Sequence, residues 1–374
     1  MGPFPHHHPP TGITADNPAG TDGFEFVEFA GPDPDAIRAE FAKMGYEHVA
    51  SRKGGGSELW QQGDVSYLLT TAPGSHAARF AEAHGPSAPS MAWRTADARR
   101  AFEHAVSKGA EPVVEGLTMD LPAIRGIGGS LLYFVDGHRE RSVYDDGFDW
   151  HAKAHPEGVG FHYLDHLTHN VHKGNMDRWF EFYGRLFNFR EIRFFDIQGR
   201  HTGLFSRALT SPCGRIRIPI NEDRGETGQI VEYLERYRGE GIQHIAVGAR
   251  DIYASVEAIA ARGLEFMPPP PASYYPMSTE RVPGHEEPLE RMAEHGILID
   301  GEGVVERDGG GGRETRILLQ IFSRTMIGPI FFEFIQRKGD DGFGEGNFKA
   351  LFEAIERDQI ERGVLPAAPS EAAE

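Results

Sequence analysis

Two stretches of this chain repeat one local pattern at a constant distance, and this constrains the fold more than any single motif does. In the first, Met91-Ala-Trp-Arg-Thr-Ala-Asp97 leads into an apolar-periodic run from Arg100 and stops at Gly109. In the second, His244-Ile-Ala-Val-Gly-Ala-Arg-Asp251 leads into a similar run from Ala254 and stops at Gly263. Asp97 and Asp251 are 154 residues apart, and so are Gly109 and Gly263. Each stretch reads as a strand, an Asp-started helix and a Gly that ends the helix before a further strand. Two landmarks at one offset inside one pattern predict a duplicated architecture.

The second half shows the unit twice. A strand over Leu164–Val171 is followed by a helix over Met176–Phe187 and strands over Arg190–Ile197, His201–Ala208 and Arg215–Ile220. A strand over Ile242–Val247 is followed by a helix over Asp251–Ala261 and late strands over Arg316–Phe322 and Ile330–Gln336. Pro268–Pro271 and Gly309–Gly312 read as loops, and neither the latter nor Gly54-Gly-Gly-Ser has the Gly-Lys-Ser/Thr ending of a phosphate loop. A composition break at Trp150–Gly160 divides the chain. The expected layout is an arm over residues 1–20, a domain over 21–150 and a second over 160–365. The first domain opens on a strand at Gly23–Phe29, whose alternation predicts one buried face.

Composition narrows the function. Lys and Arg total 38 against 56 Asp and Glu, a net charge of −18, which disfavours nucleic acid and anionic membranes as partners. No apolar run reaches the ~18 residues of a membrane span, and the first ten residues lack the apolar core of a secretion signal. The only cysteine, Cys213, excludes an internal disulfide and a cysteine-based zinc cluster. A soluble cytoplasmic protein is expected, and metal chemistry must use the 18 histidines together with carboxylates.

Three strands of the second half carry a suitable side chain at a comparable place: His166, His244 and Glu333. They are separated by 78 and 89 residues, so only the fold can bring them together. A histidine in a half-buried strand is more often a hydrogen-bonded core residue than a ligand. Glu333 is harder to set aside, because apolar residues flank it on both sides and a buried carboxylate must be paired or metal-bound. Two histidines and one carboxylate on one face of an ion leave about three of six octahedral positions open, the oxygen-activating non-haem Fe(II) arrangement. At the 154-residue offset His244 falls opposite Ser90, and a direct alignment of Gly129 with Gly328 sets Glu333 opposite Phe134. The first half is therefore expected to keep the scaffold without the ligands, with one metal per chain.

The run from Gly328 to Gln359 closely resembles bacterial 4-hydroxyphenylpyruvate dioxygenases. So do Leu164-Asp-His-Leu-Thr-His-Asn-Val, Arg217-Ile-Pro-Ile-Asn-Glu, Gly241-Ile-Gln-His-Ile-Ala and Leu318-Leu-Gln-Ile-Phe-Ser. The resemblance runs in order over about residues 17–365. It implies an α+β protein of the vicinal oxygen chelate (glyoxalase-like) fold, two domains each of paired βαβββ modules forming an open barrel. It further implies Fe(II) held by two His and one Glu, at positions matching His166, His244 and Glu333. The implied substrates are 4-hydroxyphenylpyruvate and O2, and the implied product is homogentisate, formed in tyrosine and phenylalanine catabolism by decarboxylation, ring hydroxylation and side-chain migration. No catalytic residue beyond the metal centre is expected, because the protein's task is placement and exclusion of water. The family's assembly habit implies a homodimer or homotetramer.

A phenyl ring needs an apolar slot, and its hydroxyl needs polar partners. Phe331 shares the face of Glu333, and Gln320 shares a face with Phe322. Phe348, Leu351, Phe352 and Ile355 recur at helical spacing, so a lid helix over about 346–362 is expected at the barrel mouth. By resemblance Phe343, Asn347 and Phe348 face the substrate, and Ser206, Asn221, Gln229 and Gln243 match polar pocket positions. Gln243 needs a local bulge, since alternation points it away from its neighbour His244. Alternatives on this sequence are 4-hydroxymandelate synthase, a redox-neutral metal-dependent lyase or isomerase, and a silent binding or resistance module.

Overall fold

The computed structural model describes residues 9–198, 202–307, 312–347, 359–360 and 362–363. Four modules follow one another. The first is β1 (Thr21–Ala30), α1 (Pro34–Lys43), β2 (Glu47–Arg52), β3 (Ser57–Gln62) and β4 (Val65–Thr70). Helix α2 (His76–His84) leads to the second: β5 (Ser87–Thr95), α3 (Ala98–Ser107), β6 (Pro112–Val113), β7 (Ala123–Arg125) and β8 (Leu131–Val135), with β9 (Phe148–Trp150) after it. The third is β10 (Phe161–Val171), α4 (Met176–Phe187), β11 (Arg190–Gln198), β12 (Gly203–Thr210) and β13 (Arg217–Asp223). Helix α5 (Gln229–Tyr237) joins it to the fourth: β14 (Gly241–Ala249), α6 (Ile252–Ala260), α7 (Tyr274–Arg281), α8 (Leu289–His295), β15 (Leu298–Glu306), β16 (Arg313–Phe322) and β17 (Phe331–Lys338).

Each pair of modules makes one curled sheet. The orders are β6-β7-β8-β5-β1-β4-β3-β2-β9 and β11-β12-β13-β10-β14-β17-β16-β15. In both, the first strands of the two modules lie side by side, antiparallel, at the centre. The landmarks of the repeat have matching local causes. The Asp97 carboxylate accepts from the Arg100 amide, and that of Asp251 accepts from the Tyr253 and Ala254 amides, capping α3 and α6 for about 1 kcal/mol each. Gly109 and Gly263 follow at φ +90° and +83°, a left-handed turn that glycine enters without a Cβ penalty.

The outer faces of both sheets share one apolar core with the helices. There Trp93 of β5 stacks on Phe189 at 5.2 Å and meets Phe187 edge-on at 4.9 Å, while Phe29 of β1 approaches Phe332 of β17. The inside of the first barrel is filled by a separate cluster that includes Phe26, Leu68, Tyr133, Tyr144 and Phe148. With both faces covered, β1 is buried along its whole length rather than on one face as alternation predicted.

Other differences also have physical reasons. Residues from Thr11 onward, expected within an arm, pack on the first sheet: the Thr11 hydroxyl donates to the Thr21 carbonyl, Asn17 bonds the Thr21 backbone, and Ala19 is fully buried. Residues 1–8 lie outside the described residues. Helices α7 and α8 and strand β15 escaped the periodicity reading. The helices span only 8 and 7 residues, and Pro276 and the glycines at 301 and 303 blur their patterns. Gly54–Gly56 form the turn between β2 and β3, with φ near +84°, whereas Gly309–Gly311 lie outside the described residues. Among the described residues no helix is long and apolar enough to cross a membrane.

Candidate metal centre and substrate pocket

The three candidate ligands stand on three neighbouring strands. Ala246 of β14 pairs with His166 of β10 on one side and with Glu333 of β17 on the other. His244 lies two residues before Ala246 and so points to the same face. One nitrogen or oxygen from each of His166, His244 and Glu333 lies within 4.8 Å of the others. His166 Nε2 is 3.1 Å and His244 Nε2 3.6 Å from Glu333 Oε2. All three are buried. Glu333 Oε1 has no hydrogen-bond partner, an unspent valence on a carboxylate that is 3 % exposed. A buried carboxylate with one oxygen against two imidazoles and the other orphaned fits a cation and fits nothing apolar.

Two β-bulges shape the centre. Between Leu164 and His166, β10 advances two residues while β14 advances one, so Asp165 is an extra residue beside His166. Between Thr168 and His169 the excess falls on β14, at Gln243 beside His244. Each bulge residue turns its side chain to its histidine neighbour. Asp165 Oδ1 is 2.9 Å from His166 Nδ1, and Gln243 Oε1 is 3.1 Å from His244 Nδ1. An acceptor at Nδ1 places a proton there and turns Nε2 toward Glu333. Thr168 Oγ1 lies 2.9 Å from His244 Nε2.

The local field differs at the two imidazoles. Burial alone would push the His166 imidazolium down, but Glu333 and then Asp165 outweigh it and lift the value to about 9. His244 falls well below the usual histidine range through burial, with His166 and His169 adding to the effect. Asp165 is held well below the carboxylate range: burial opposes its charge, and Arg337, which donates to both its oxygens at 2.6 and 2.8 Å, prevails.

Above the three residues lies a cavity. Of the residues singled out in the sequence, Ser206, Asn221, Gln229, Gln243, Phe322, Phe331 and Phe343 line it. Phe331 stacks on His244 with centroids 4.8 Å apart and meets Phe322 edge-on at 6.3 Å. Phe343 meets His166 edge-on at 5.6 Å. Gln320 and Asn347 are not in the lining. Gln320 is fully buried under Gly344 with both amide atoms unpartnered, and Asn347 accepts from the Tyr274 hydroxyl at 2.6 Å. Phe348 and most of the expected lid helix lie outside the described residues.

Sequence reasoning missed Thr168, Phe195, Ile197, Leu204, Ala208 and Pro219, which complete the wall. Phe195 pairs with Ser206, which pairs in turn with Asn221, so one row of three strands forms this side. Phe195 and Ile197 do alternate along β11, a signal that was present. The registers also move the equivalence with the first barrel by one residue. Ser90 pairs with Leu131 as His244 pairs with Phe331, so Tyr133, not Phe134, occupies the place of Glu333. The direct alignment through Gly129 and Gly328 ignored the different turns before β8 and β17.

Residues 15–149 match the family described as hydroxyphenylpyruvate dioxygenase, N-terminal, and residues 163–280 match the glyoxalase/bleomycin resistance protein/dioxygenase superfamily. The chain is 51% identical over 361 residues to 4-hydroxyphenylpyruvate dioxygenase of Pseudomonas aeruginosa, covering 94% of this chain and 98% of that one. It is 50% identical over 363 residues to hemolysin VllY of Vibrio vulnificus, covering 94% and 99%. A mutant of 4-hydroxymandelate synthase from Streptomyces coelicolor has a TM-score of 0.74 at 25% identity, covering 91% of this chain and 99% of that one. Fold and matches define a glyoxalase-like protein whose second barrel holds a His-His-Glu cluster able to bind a metal ion. Within that superfamily the chain belongs to the 4-hydroxyphenylpyruvate dioxygenase family.

Proposed function

We propose that this chain is a 4-hydroxyphenylpyruvate dioxygenase, converting 4-hydroxyphenylpyruvate and O2 to homogentisate and CO2 at one Fe(II) held by His166, His244 and Glu333. The observation that carries the reading is the buried triad with its unspent Glu333 oxygen, in a cavity lined by phenylalanines and polar side chains. Fe(II) bound there supplies chelation of the 2-oxo acid and activation of O2. The remaining work falls to the chain itself. Phe331 and Phe322 form two sides of a slot for the substrate ring. Ser206, Asn221, Gln229 and Gln243 offer donors and acceptors to the ring hydroxyl, and Asn221 Nδ2 lies 3.5 Å from Gln243 Oε1. Phe343, set against His166, shields the centre from solvent. Gln320, Asn347 and Phe348 are further substrate contacts in this reading, and the unpartnered Gln320 amide supports the first of them.

A homodimer or homotetramer is part of the reading, supported by Ile192 and Phe194, which are 46 % and 47 % exposed on edge strand β11. So is a cytoplasmic setting, supported by the free thiol of Cys213. The shape shared with 4-hydroxymandelate synthase gives a second reading, the same substrate hydroxylated at its benzylic carbon. The test of the site is the absorption spectrum of the anaerobic Fe(II) protein with and without 4-hydroxyphenylpyruvate. A charge-transfer band appearing with the 2-oxo acid is expected, and its absence would contradict chelation at this centre.

A further inference from the structure

Arg337 has its side chain only 1 % exposed, and it joins two parts of the site by hydrogen bonds. On one side its Nε and Nη2 grip both oxygens of Asp165, at 2.6 and 2.8 Å, and Asp165 Oδ1 faces His166 Nδ1. On the other side its Nη1 donates to the carbonyls of Gly342, at 2.5 Å, and Asp340, at 3.2 Å. Those carbonyls belong to the loop after β17, and the next residue, Phe343, places its ring against His166. The loop has a second tether, from Arg217 Nη2 to the exposed Asp341 at 3.1 Å.

We propose that Arg337 is a positioning residue that couples the loop carrying Phe343 to the orientation of His166. The guanidinium is rigid and planar, so turning it to follow Asp165 moves the nitrogen that holds Gly342, and the reverse. A lysine keeps the charge but cannot make the two-pronged contact with Asp165 and the loop bonds together. The proposal rests on His166 being a metal ligand.

A buried arginine–carboxylate pair can also be purely structural, and the first barrel contains one. Arg94 meets Glu25 at 2.5 Å, and Glu25 is the bulge residue beside Phe26 as Asp165 is beside His166. That pair arises from β1 and β5 of the barrel without the ligands. The test must therefore read something a structural pair would not move.

The experiment uses the full chain, stripped of metal and titrated with Co(II), with hydrogen exchange followed at the amides of residues 340–343. In the wild type, Co(II) produces visible d–d bands and slows exchange in this loop. In Arg337→Lys, Co(II) affinity measured by chelator competition falls about 10- to 100-fold, as for lost partners of metal-bound histidines. The d–d bands shift, and saturating Co(II) no longer slows loop exchange. In Arg94→Lys, affinity, bands and loop response all stay as in wild type. Should Arg337→Lys fail to fold, the wild-type titration still decides: bound Co(II) with unchanged exchange at 340–343 overturns the coupling. A wild type that binds no Co(II) overturns the metal site itself. Unchanged affinity and bands in a folded Arg337→Lys reduce Arg337 to a structural pair.

Discussion

The two barrels share a scaffold but treat its centre in opposite ways. Where the second barrel has His166, His244 and Glu333, the first has Phe26, Ser90 and Tyr133 at the equivalent register positions. Ala92 and Ala246 are the same residue at the same place. Opposite Ser90 stands Glu28, as Thr168 stands opposite His244. Glu28 accepts from Ser90 at 2.5 Å and from Thr70 at 2.7 Å, so each carboxyl oxygen has a partner, whereas Glu333 Oε1 has none. Tyr144 and Phe148 help to fill the first interior, while the second keeps a cavity over its three candidate ligands. One copy of the architecture thus gives both oxygens of its central carboxyl a partner and fills its interior. The other leaves nitrogen and oxygen valences facing a cavity, and such groups persist where function requires them.

The largest effect expected from breaking this contrast is at the ligands. His166→Ala, His244→Ala or Glu333→Ala should each remove bound iron and turnover together, read by metal analysis and an oxygen electrode; full activity in any one variant contradicts the assignment. The paired glutamates should then separate stability from function. Glu28→Ala strands the Ser90 hydroxyl, leaves Thr70 with Ser57 alone, and should cost about 1–3 kcal/mol, with metal content unchanged. Glu333→Gln should abolish metal binding, and in the metal-free protein it removes the charge that raises His166, a loss of stability that fades as pH rises through about 9. Calorimetry of both metal-free variants checks this pair.

A third contrast concerns acid, to which both halves are exposed. Burial, aided by Arg125 and Arg79, lowers His76 to about 4, and burial lowers His169 to about 3. Their contribution to stability is complete above the unfolded value of ~6.5. It is lost as pH falls toward the folded values, because the unfolded chain then takes up protons the folded one refuses. Denaturant midpoints should therefore fall steadily below pH 6.5, and Phe in place of His76 or His169 should flatten that slope. The smallest effect belongs to the pocket wall. Ser206→Ala should lower kcat/KM about fivefold, the equivalent of ~1 kcal/mol for one hydrogen bond, with metal content intact.

Much of this was legible in the sequence because its causes are local. Asp97 and Asp251 are helix caps and Gly109 and Gly263 are left-handed turns, so the duplication showed at fixed spacing. Glu333 stood out because a carboxylate inside an apolar strand has few harmless explanations. The bulge that Gln243 requires could be anticipated from alternation, since its neighbour occupies the inward position. The bulge at Asp165 could not, because its partner Arg337 lies on another strand and only the folded sheet joins them. Leu204 entered the pocket through its pairing with Ile197, a register that periodicity does not encode. Tyr133 was missed by one position because registers depend on turn lengths before the strands.

The central claim, that the second barrel places 4-hydroxyphenylpyruvate for ring hydroxylation at an Fe(II) centre, is tested most directly by its product. Purified full-length chain, loaded with Fe(II) and given 4-hydroxyphenylpyruvate and O2, should consume one O2 and release one CO2 for each homogentisate formed. Formation of 4-hydroxymandelate without homogentisate, or no oxygen uptake dependent on the 2-oxo acid, would contradict it.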